Sequence, residues 1–544
     1  MSKNLDQKPS RFDIIDRKIS ILTRHPKLFL IGIGLIGFFV RMYYFPFEIP
    51  IFHDSIDYFS YAVSISQQGH FPIGWDLSNN GWPTFLSIFF SIHSDGGLWE
   101  LMYIQRMLTV IISVLTIIPI YLLCTRFVPR RYALIGSTLF LMDPRIITNS
   151  FLGVTEASFV LLGSLALFLF LSKDFKVVLA SFGILALFTL IRYEGIVLII
   201  PFLIFFLIRF RSQRKVILKF LGVITIFILI LLPMAYFRME ATGNDGIISM
   251  ALAGPGYVSK HIIQGVPDVD DAVYGPDTKE NRVTQFVTLG FGNLVKYLGW
   301  ITIPVFIFFV PIGFFIFLRN PNDKTKTILS VSFFLLIPAF YAYGRGIEET
   351  RYLYVLFPIF CIFSSFTIMK IGDRVGKKEI ITILLICGIF IGSIGFLDYK
   401  KIDSEYERES YLIAKDIERI ADGLNNYDTG SKYIQISEIE NNWPVIFSVS
   451  DEFSADQKYE ITKVAPWSFS TLFEYIKDSK DKGLTHIVSD GKQNRAVFLN
   501  DVFYNEKEFP YLIKEYDSHE QGFQYHVKVY KIDFEKFMEL SPKN

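Results

Sequence analysis

Cysteine is nearly absent from this chain: Cys124, Cys361 and Cys387 are the only three in 544 residues. Each falls inside an apolar run, and none has metal-ligand or disulfide-framework spacing, so cysteine chemistry is set aside. No phosphate-binding Gly-rich loop, zinc pattern, internal repeat or low-complexity segment occurs. The net charge of +1 points to no partner class, and nothing in the sequence suggests nucleic acid. The basic residues ahead of Leu28 resemble a leader, yet no A-x-A-like site follows the apolar run, which therefore reads as a retained helix. One further absence is local: the stretch 47–102 contains neither Lys nor Arg.

What is abundant is apolar and aromatic. The composition is 51% hydrophobic and 16% aromatic with 55 Phe, and the mean hydropathy is +0.36. A soluble chain of this length is rarely so apolar, so an integral membrane protein is the leading class. A span takes about 20 apolar residues. Candidates lie at 28–46, 103–126, 131–149, 156–172, 216–236, 297–318, 327–343, 352–371 and 379–397. The stretch 177–208 is about 48 Å long at 1.5 Å per residue, too long for one crossing, and Arg192-Tyr193-Glu194 interrupts it. It reads as two short spans, 177–191 and 195–208, which brings the expected total to about eleven.

Charge sets the expected sidedness. The tail 1–27 is basic and is expected in the cytoplasm. The loops carrying Arg126, Arg130 and Arg131; Lys173 and Lys176; Arg209, Arg211, Arg214 and Lys215; Arg319, Lys324 and Lys326; and Lys370, Arg374, Lys377 and Lys378 then fall on the same side. Two long outer loops remain, 47–102 and 237–296. In the first, Gly81-Trp82-Pro83 leads into Thr84–Ile92, too short to span and expected along the interface. The second is rich in Gly, Asp and Pro and is expected to act as a flexible cover. Residues 398–544 are more charged. Helical periodicity over Ser404–Leu424 and Phe469–Lys477 and strand-like runs at Tyr433–Ile436, Val445–Val449, Thr485–Val488 and Tyr525–Tyr530 predict an extracytoplasmic α/β domain without disulfides. The expected fold class is thus an α-helical polytopic membrane protein, with residues 28–397 as the transmembrane domain, followed by a C-terminal soluble α/β domain.

Chemistry-bearing residues cluster at the outer face. Asp54 and Asp57, at i and i+3, share a face of any helix that forms there. They read either as a general base or metal-coordinating pair, or as acids that favour a helix start. Glu156 opens a span, where an acid favours the helix start. Arg192 and Glu194 either bind a ligand or pair to settle the hairpin. Arg345, Glu348, Glu349 and Arg351 form a charged loop, with Arg351 set apart by its place at a span edge. Arg106 reads as an interfacial anchor that snorkels, and Arg145 has no placed role. His53 and His70 lack the spacing of a metal pair.

The run Asp54 through Tyr58, Tyr61-Ala62 and Gly69-His70-Phe71 resembles the first outer loop of the GT-C glycosyltransferases. The similarity is to the dolichyl-phosphate-mannose–protein mannosyltransferase and aminoarabinose-transferase-like group. Trp82-Pro83-Thr84-Phe85-Leu86, Arg106, Asp143-Pro144, Thr155-Glu156, Arg192-Tyr193-Glu194-Gly195 and Arg351-Tyr352-Leu353 continue it in order, over about residues 28–397. Ser55 stands where the group has its second adjacent acid.

The resemblance implies transfer of a hexose or pentose from a polyprenyl-phosphate donor to a hydroxyl on a protein, lipid or glycan acceptor, with inversion. It makes Asp54 the first choice of base, with Asp57 and Glu156 behind it, and leaves a divalent cation (Mg or Mn) on Asp54 and Asp57 open. Arg192, Arg345 and Arg351 suit the departing phosphate, because guanidinium groups grip phosphate oxygens as a fork. Tyr58, Glu194 and Arg106 complete the expected binding set. A secondary transporter or flippase is the rival reading; it is disfavoured because the charges gather at one face and no two-half symmetry shows. An oligosaccharyltransferase is disfavoured because 398–544 lacks a Trp-Trp-Asp motif. With no eukaryotic retention signal in view, a prokaryotic cell membrane is the expected location.

Overall fold

The computed structural model describes residues 25–51, 54–93, 97–266, 282–319, 321–375, 378–420, 469–481, 484, 486–492 and 496–540. The chain divides into two units: residues 1–45 with 57–397, and residues 46–56 with 398–544. The basic tail 1–24, His53, the acidic and Gly-Pro cluster within 267–281 and the strands expected at 433–436 and 445–449 lie outside the described residues.

The first unit is helical. Among the described residues, seven helices are long and apolar enough to cross a membrane: Pro26–Tyr43, Trp99–Cys124, Tyr193–Phe210, Val216–Thr242, Asp323–Gly344, Thr350–Arg374 and Ile383–Ile413. Shorter apolar helices run over Gly81–Ile92, Glu156–Phe170, Phe175–Ile191 and Phe309–Leu318. The polytopic class therefore stands, while several boundaries differ from expectation. The stretch 131–149 is two helices, Arg130–Leu141 and Pro144–Asn149. Buried Asp143 divides them by accepting the free amides of Arg145 (2.9 Å) and Ile146 (3.3 Å), with Pro144 at the first helical position.

The span expected from 297 starts at Arg282 and ends at Thr302, ahead of Phe309–Leu318. The outer loop expected over 237–296 is mostly helical where described. The preceding helix continues to Thr242 and is ended by Gly243 at φ 73°. Ile248–Tyr257 and Val258–Ile263 follow.

Arg192 breaks the long apolar stretch, at φ −145° and ψ 120°. The chain then doubles back, since the Arg209 guanidinium donates to the carbonyls of Phe170 and Ser172. Lys324 Nζ donates to the Arg126 carbonyl at 3.1 Å. These contacts gather basic loops at the end of the bundle away from Arg192, as a hairpin requires.

The second unit holds an antiparallel sheet of β1 (His486–Ser489), β2 (Leu512–Asp517) and β3 (Lys528–Ile532) in the order β1-β3-β2. The expected strands at 485–488 and 525–530 are shifted toward the C-terminus to β1 and β3. Helix Leu472–Lys480 is capped by Thr471, whose hydroxyl accepts from the Glu474 amide at 3.2 Å. Its apolar side packs with Leu499, Val502 and Tyr530 on one side of the sheet. On the other side lie Ile413 and Ile417, one turn apart near the end of the long helix Lys378–Ile420.

Candidate active site

Three charged side chains converge where the hairpin turns. Arg192 donates through Nη1 to Glu156 Oε1 and through Nη2 to Glu194 Oε1, each at 2.9 Å. The side chains are only 11%, 4% and 16% exposed for Arg192, Glu156 and Glu194. Glu156 is brought in by the first turn of helix Glu156–Phe170, and Glu194 by the 3-10 turn Tyr193–Leu198. The second oxygen of each acid, Oε2, is buried without a hydrogen-bond partner. A buried carboxylate oxygen in that state is costly unless something donates to it. With one cation between two acids, the cluster carries a formal charge of −1 and offers two acceptor positions.

Aromatic rings continue the site. The Arg192 guanidinium lies 5.6 Å from the Phe159 ring centre and 5.8 Å from that of Tyr352. Tyr352 meets Tyr343 edge-on at 6.4 Å, and Tyr343 stacks on Tyr297 at 5.1 Å. The Tyr297 hydroxyl donates to Glu348 Oε2 at 2.9 Å, and Lys296 reaches the same oxygen at 3.2 Å. These two hydrogen bonds hold the Glu348 carboxyl below its ordinary range. Arg351 pairs with Glu349. Arg345 sits farther along, its guanidinium 4.4 Å from the Tyr257 ring centre and 5.9 Å from that of Tyr341.

A polar loop joins the cluster from the other direction. Asn79, in a left-handed conformation at φ 62°, donates to the Tyr58 hydroxyl at 3.5 Å. Its Oδ1 accepts from the Tyr193 amide at 3.2 Å. Buried Tyr58 is thereby linked to the turn that carries Arg192. Arg238, near the end of helix Val216–Thr242, is also buried and pairs with Asp76 while donating to the Leu77 carbonyl. Neither Asn79 nor Arg238 stands out in the sequence. The turn signal Asn79-Asn80-Gly81 is the one cue to the first, and a lone Arg at a helix end gives none to the second.

The remaining expected residues are placed as follows. Asp54 opens helix Asp54–Gln68 and is half-buried; Asp57, one turn on, is exposed. Both occupy the first turn, where acids suit the helix dipole. Arg106 is buried within helix Leu98–Leu115 rather than reaching the interface, so the snorkelling expectation does not hold. His70 is exposed and bonds locally to the Phe71 carbonyl. Arg41, not singled out by the sequence, is fully buried and donates to Gly37 O, Leu141 O and Ser113 Oγ, each at 3.0 Å. Among the described residues no group of three His, Cys, Asp or Glu side chains is placed to hold a metal ion.

The fold is similar to that of solved archaeal oligosaccharyltransferases, in keeping with the resemblance carried by the motifs. A family model for dolichyl-phosphate-mannose-protein mannosyltransferase matches residues 82–237. The match takes in Arg106, Asp143, Glu156, Arg192 and Glu194, and starts beyond Asp54 and Asp57. No curated protein sequence matches the chain. Among solved structures, the Archaeoglobus fulgidus oligosaccharyltransferase AglB, in complex with an inhibitory peptide and a dolichol-phosphate, superposes with a TM-score of 0.52 at 14% identity. That match covers 90% of this chain and 73% of AglB. The A. fulgidus oligosaccharyltransferase in complex with Zn and sulfate gives 0.50 at 12% identity, over 84% and 68%. ArnT from Cupriavidus metallidurans bound to undecaprenyl phosphate gives 0.47 at 11% identity, over 72% of each chain.

Proposed function

We propose that this chain is a membrane glycosyltransferase that moves one sugar from a polyprenyl-phosphate donor to an acceptor hydroxyl on the outer face, inverting the sugar carbon. The observation that carries the reading is the buried Glu156–Arg192–Glu194 cluster with an open oxygen on each acid. Sugar hydroxyls are the donors that such oxygens lack, and the Tyr352 ring beside Arg192 supplies an apolar surface for a sugar face. Support also comes from the GT-C fold, the family match over 82–237, and the dolichol-phosphate named in one of the matched structures. That neighbour transfers oligosaccharide; this chain is read as a single-sugar enzyme because 398–544 lacks the Trp-Trp-Asp motif.

The division of labour follows from charge. A cluster of net negative charge repels phosphate, so Arg192 is assigned to orienting the two acids around the sugar. The departing phosphate goes to Arg345 and Arg351, with Arg345 the stronger choice because its guanidinium, 4.4 Å from the Tyr257 ring centre, stays charged. The proton of the acceptor hydroxyl goes to Asp54 by its place in the motif, with Glu156 second by its open oxygen. Asp57 is the weaker alternative, and Tyr58 supports the turn at Tyr193 through Asn79. The described residues give a Mg or Mn ion no ready ligand set, so no step is routed through one. The acceptor, whether protein, lipid or glycan, is met at the outer membrane face of what is read as a prokaryotic cell.

The test is transfer from a synthetic polyprenyl-phosphate sugar by the purified protein. A general base contributes about 10²–10⁴-fold, so Asp54→Asn is expected to lose that much turnover while still binding donor. Full activity in Asp54→Asn with loss in Glu156→Gln moves the base to Glu156. Absence of transfer from every lipid-linked donor, together with solute uptake into vesicles, would return the transporter reading.

A further inference from the structure

A second feature of the bundle lies at the end opposite the Arg192 turn. Helices Phe175–Ile191 and Val216–Thr242 run side by side, and an added Cβ at Gly183 would meet Ile230 at 3.2 Å and Ile226 at 3.9 Å. Nearer Phe175 their residues leave a gap. The gap is an open groove of about 500 Å³, walled by Phe175, Leu179, Leu218, Gly222 and Leu229 with Lys219 at its mouth. An added Cβ at Gly222 meets nothing within 4 Å, so the groove owes its depth partly to this missing side chain. Lys219 is held in place: its Nζ donates to Gln213 Oε1 at 2.7 Å and lies 5.2 Å from the Phe175 ring centre.

The sequence flanking the groove is predominantly basic. The segments 173–176 and 209–219 carry seven basic side chains (Lys173, Lys176, Arg209, Arg211, Arg214, Lys215 and Lys219) against the single acid Asp174. An apolar slot lined by Lys219 and flanked in sequence by further cations is complementary to a lipid with a negative headgroup, and a basic pocket between spanning helices is where such headgroups bind. We propose that the groove is a binding site for an anionic phospholipid of the cytoplasmic leaflet, one acyl chain lying between the two helices and the phosphate on Lys219. The site is separate from the glycosyl-transfer cluster and involves none of its residues.

Native mass spectrometry of the full-length protein, with no sugar donor present, tests this independently of any transfer activity. Added dioleoylphosphatidylglycerol is expected to stay bound in preference to dioleoylphosphatidylcholine. Lys219→Gln is expected to weaken retention about fivefold, the contribution of one Lys beside a charged lipid surface. Gly222→Leu, which has room for its side chain, is expected to lower retention with every charge intact. Equal retention of the two lipids, or unchanged retention in both variants, would overturn the proposal. So would displacement of phosphatidylglycerol by undecaprenyl phosphate, which would give the groove to a polyprenyl carrier instead.

Discussion

At the scale of single residues, Arg192 does most to join sequence and site. It ends a helix, begins the return span and neutralises one of two buried acids, all from one position. Removing the cation leaves Glu156 and Glu194 facing each other out of water, and breaking a buried pair from one side costs about 3–5 kcal/mol. Arg192→Met is therefore expected to lower the melting temperature in detergent markedly. Arg192→Met combined with Glu156→Gln should recover part of the loss, because the second change removes a stranded charge; coupling of about 0.5–3 kcal/mol is typical of residues in one network. A single variant that melts like the wild type would show that the cluster contributes nothing to the fold.

The Arg192–Glu194 pairing was legible because the two residues are neighbours in the sequence. Glu156 is 36 residues away, and no spacing rule reaches it; only the order of motifs grouped it with Arg192. Asn79, Arg41 and Arg238 were not legible. A polar residue beside a turn or helix end looks the same whether it holds two loops together or faces solvent.

At the scale of elements, uniform apolar runs announced themselves and amphipathic ones did not. Arg192 interrupts an otherwise apolar stretch and was read as a break, which is where the helix ends. The helix Arg282–Thr302 begins well before its apolar part because it packs Phe286, Gly290, Asn293 and Tyr297 inward while carrying polar residues such as Lys296 elsewhere. A hydropathy reading treats that mixture as loop. Asp143-Pro144 was visible as a motif, yet its structural consequence, a cap that ends one helix and starts another, was hidden within an apolar window.

Gly81 makes the same point from the packing side. The helix Gly81–Ile92 lies so close to helix Phe175–Ile191 that a Cβ at Gly81 would fall 2.4 Å from the Leu190 carbonyl oxygen. Backbone cannot yield as a flexible side chain can, so Gly81→Ala must push the two helices apart. A destabilisation of about 1–3 kcal/mol is expected for such overpacking, read as a lower melting temperature. Because Leu190 sits two residues before Arg192, sugar transfer should fall as well. A variant with unchanged melting and unchanged transfer would mean that this contact is looser than the geometry states.

At the scale of the whole molecule, the sidedness on which the functional reading depends is a matter of counting crossings. If 177–208 crossed once, Arg209, Arg211, Arg214 and Lys215 would stand opposite Lys173 and Lys176, against the rule that basic loops share the cytoplasmic side. The turn at Arg192 removes the conflict, and the Arg209 contacts to the Phe170 and Ser172 carbonyls bring the two basic loops to one end of the bundle. The function proposed above needs Glu156 and Arg192 at the opposite, outer end, where its polyprenyl-linked sugar would be exposed. Cysteine labelling reads this directly. Cys124 and Cys361 are buried, so Cys387→Ser removes the one exposed native thiol. In that background, Ser212→Cys is expected to react with an impermeant maleimide only after the membrane is opened. Gln264→Cys and Val497→Cys are expected to react in intact cells. Labelling of Gln264→Cys only after permeabilisation would put the segment following helix Val216–Thr242 in the cytoplasm. The cluster around Arg192 would then no longer have a place on the outer face, and outward sugar transfer would fail with it.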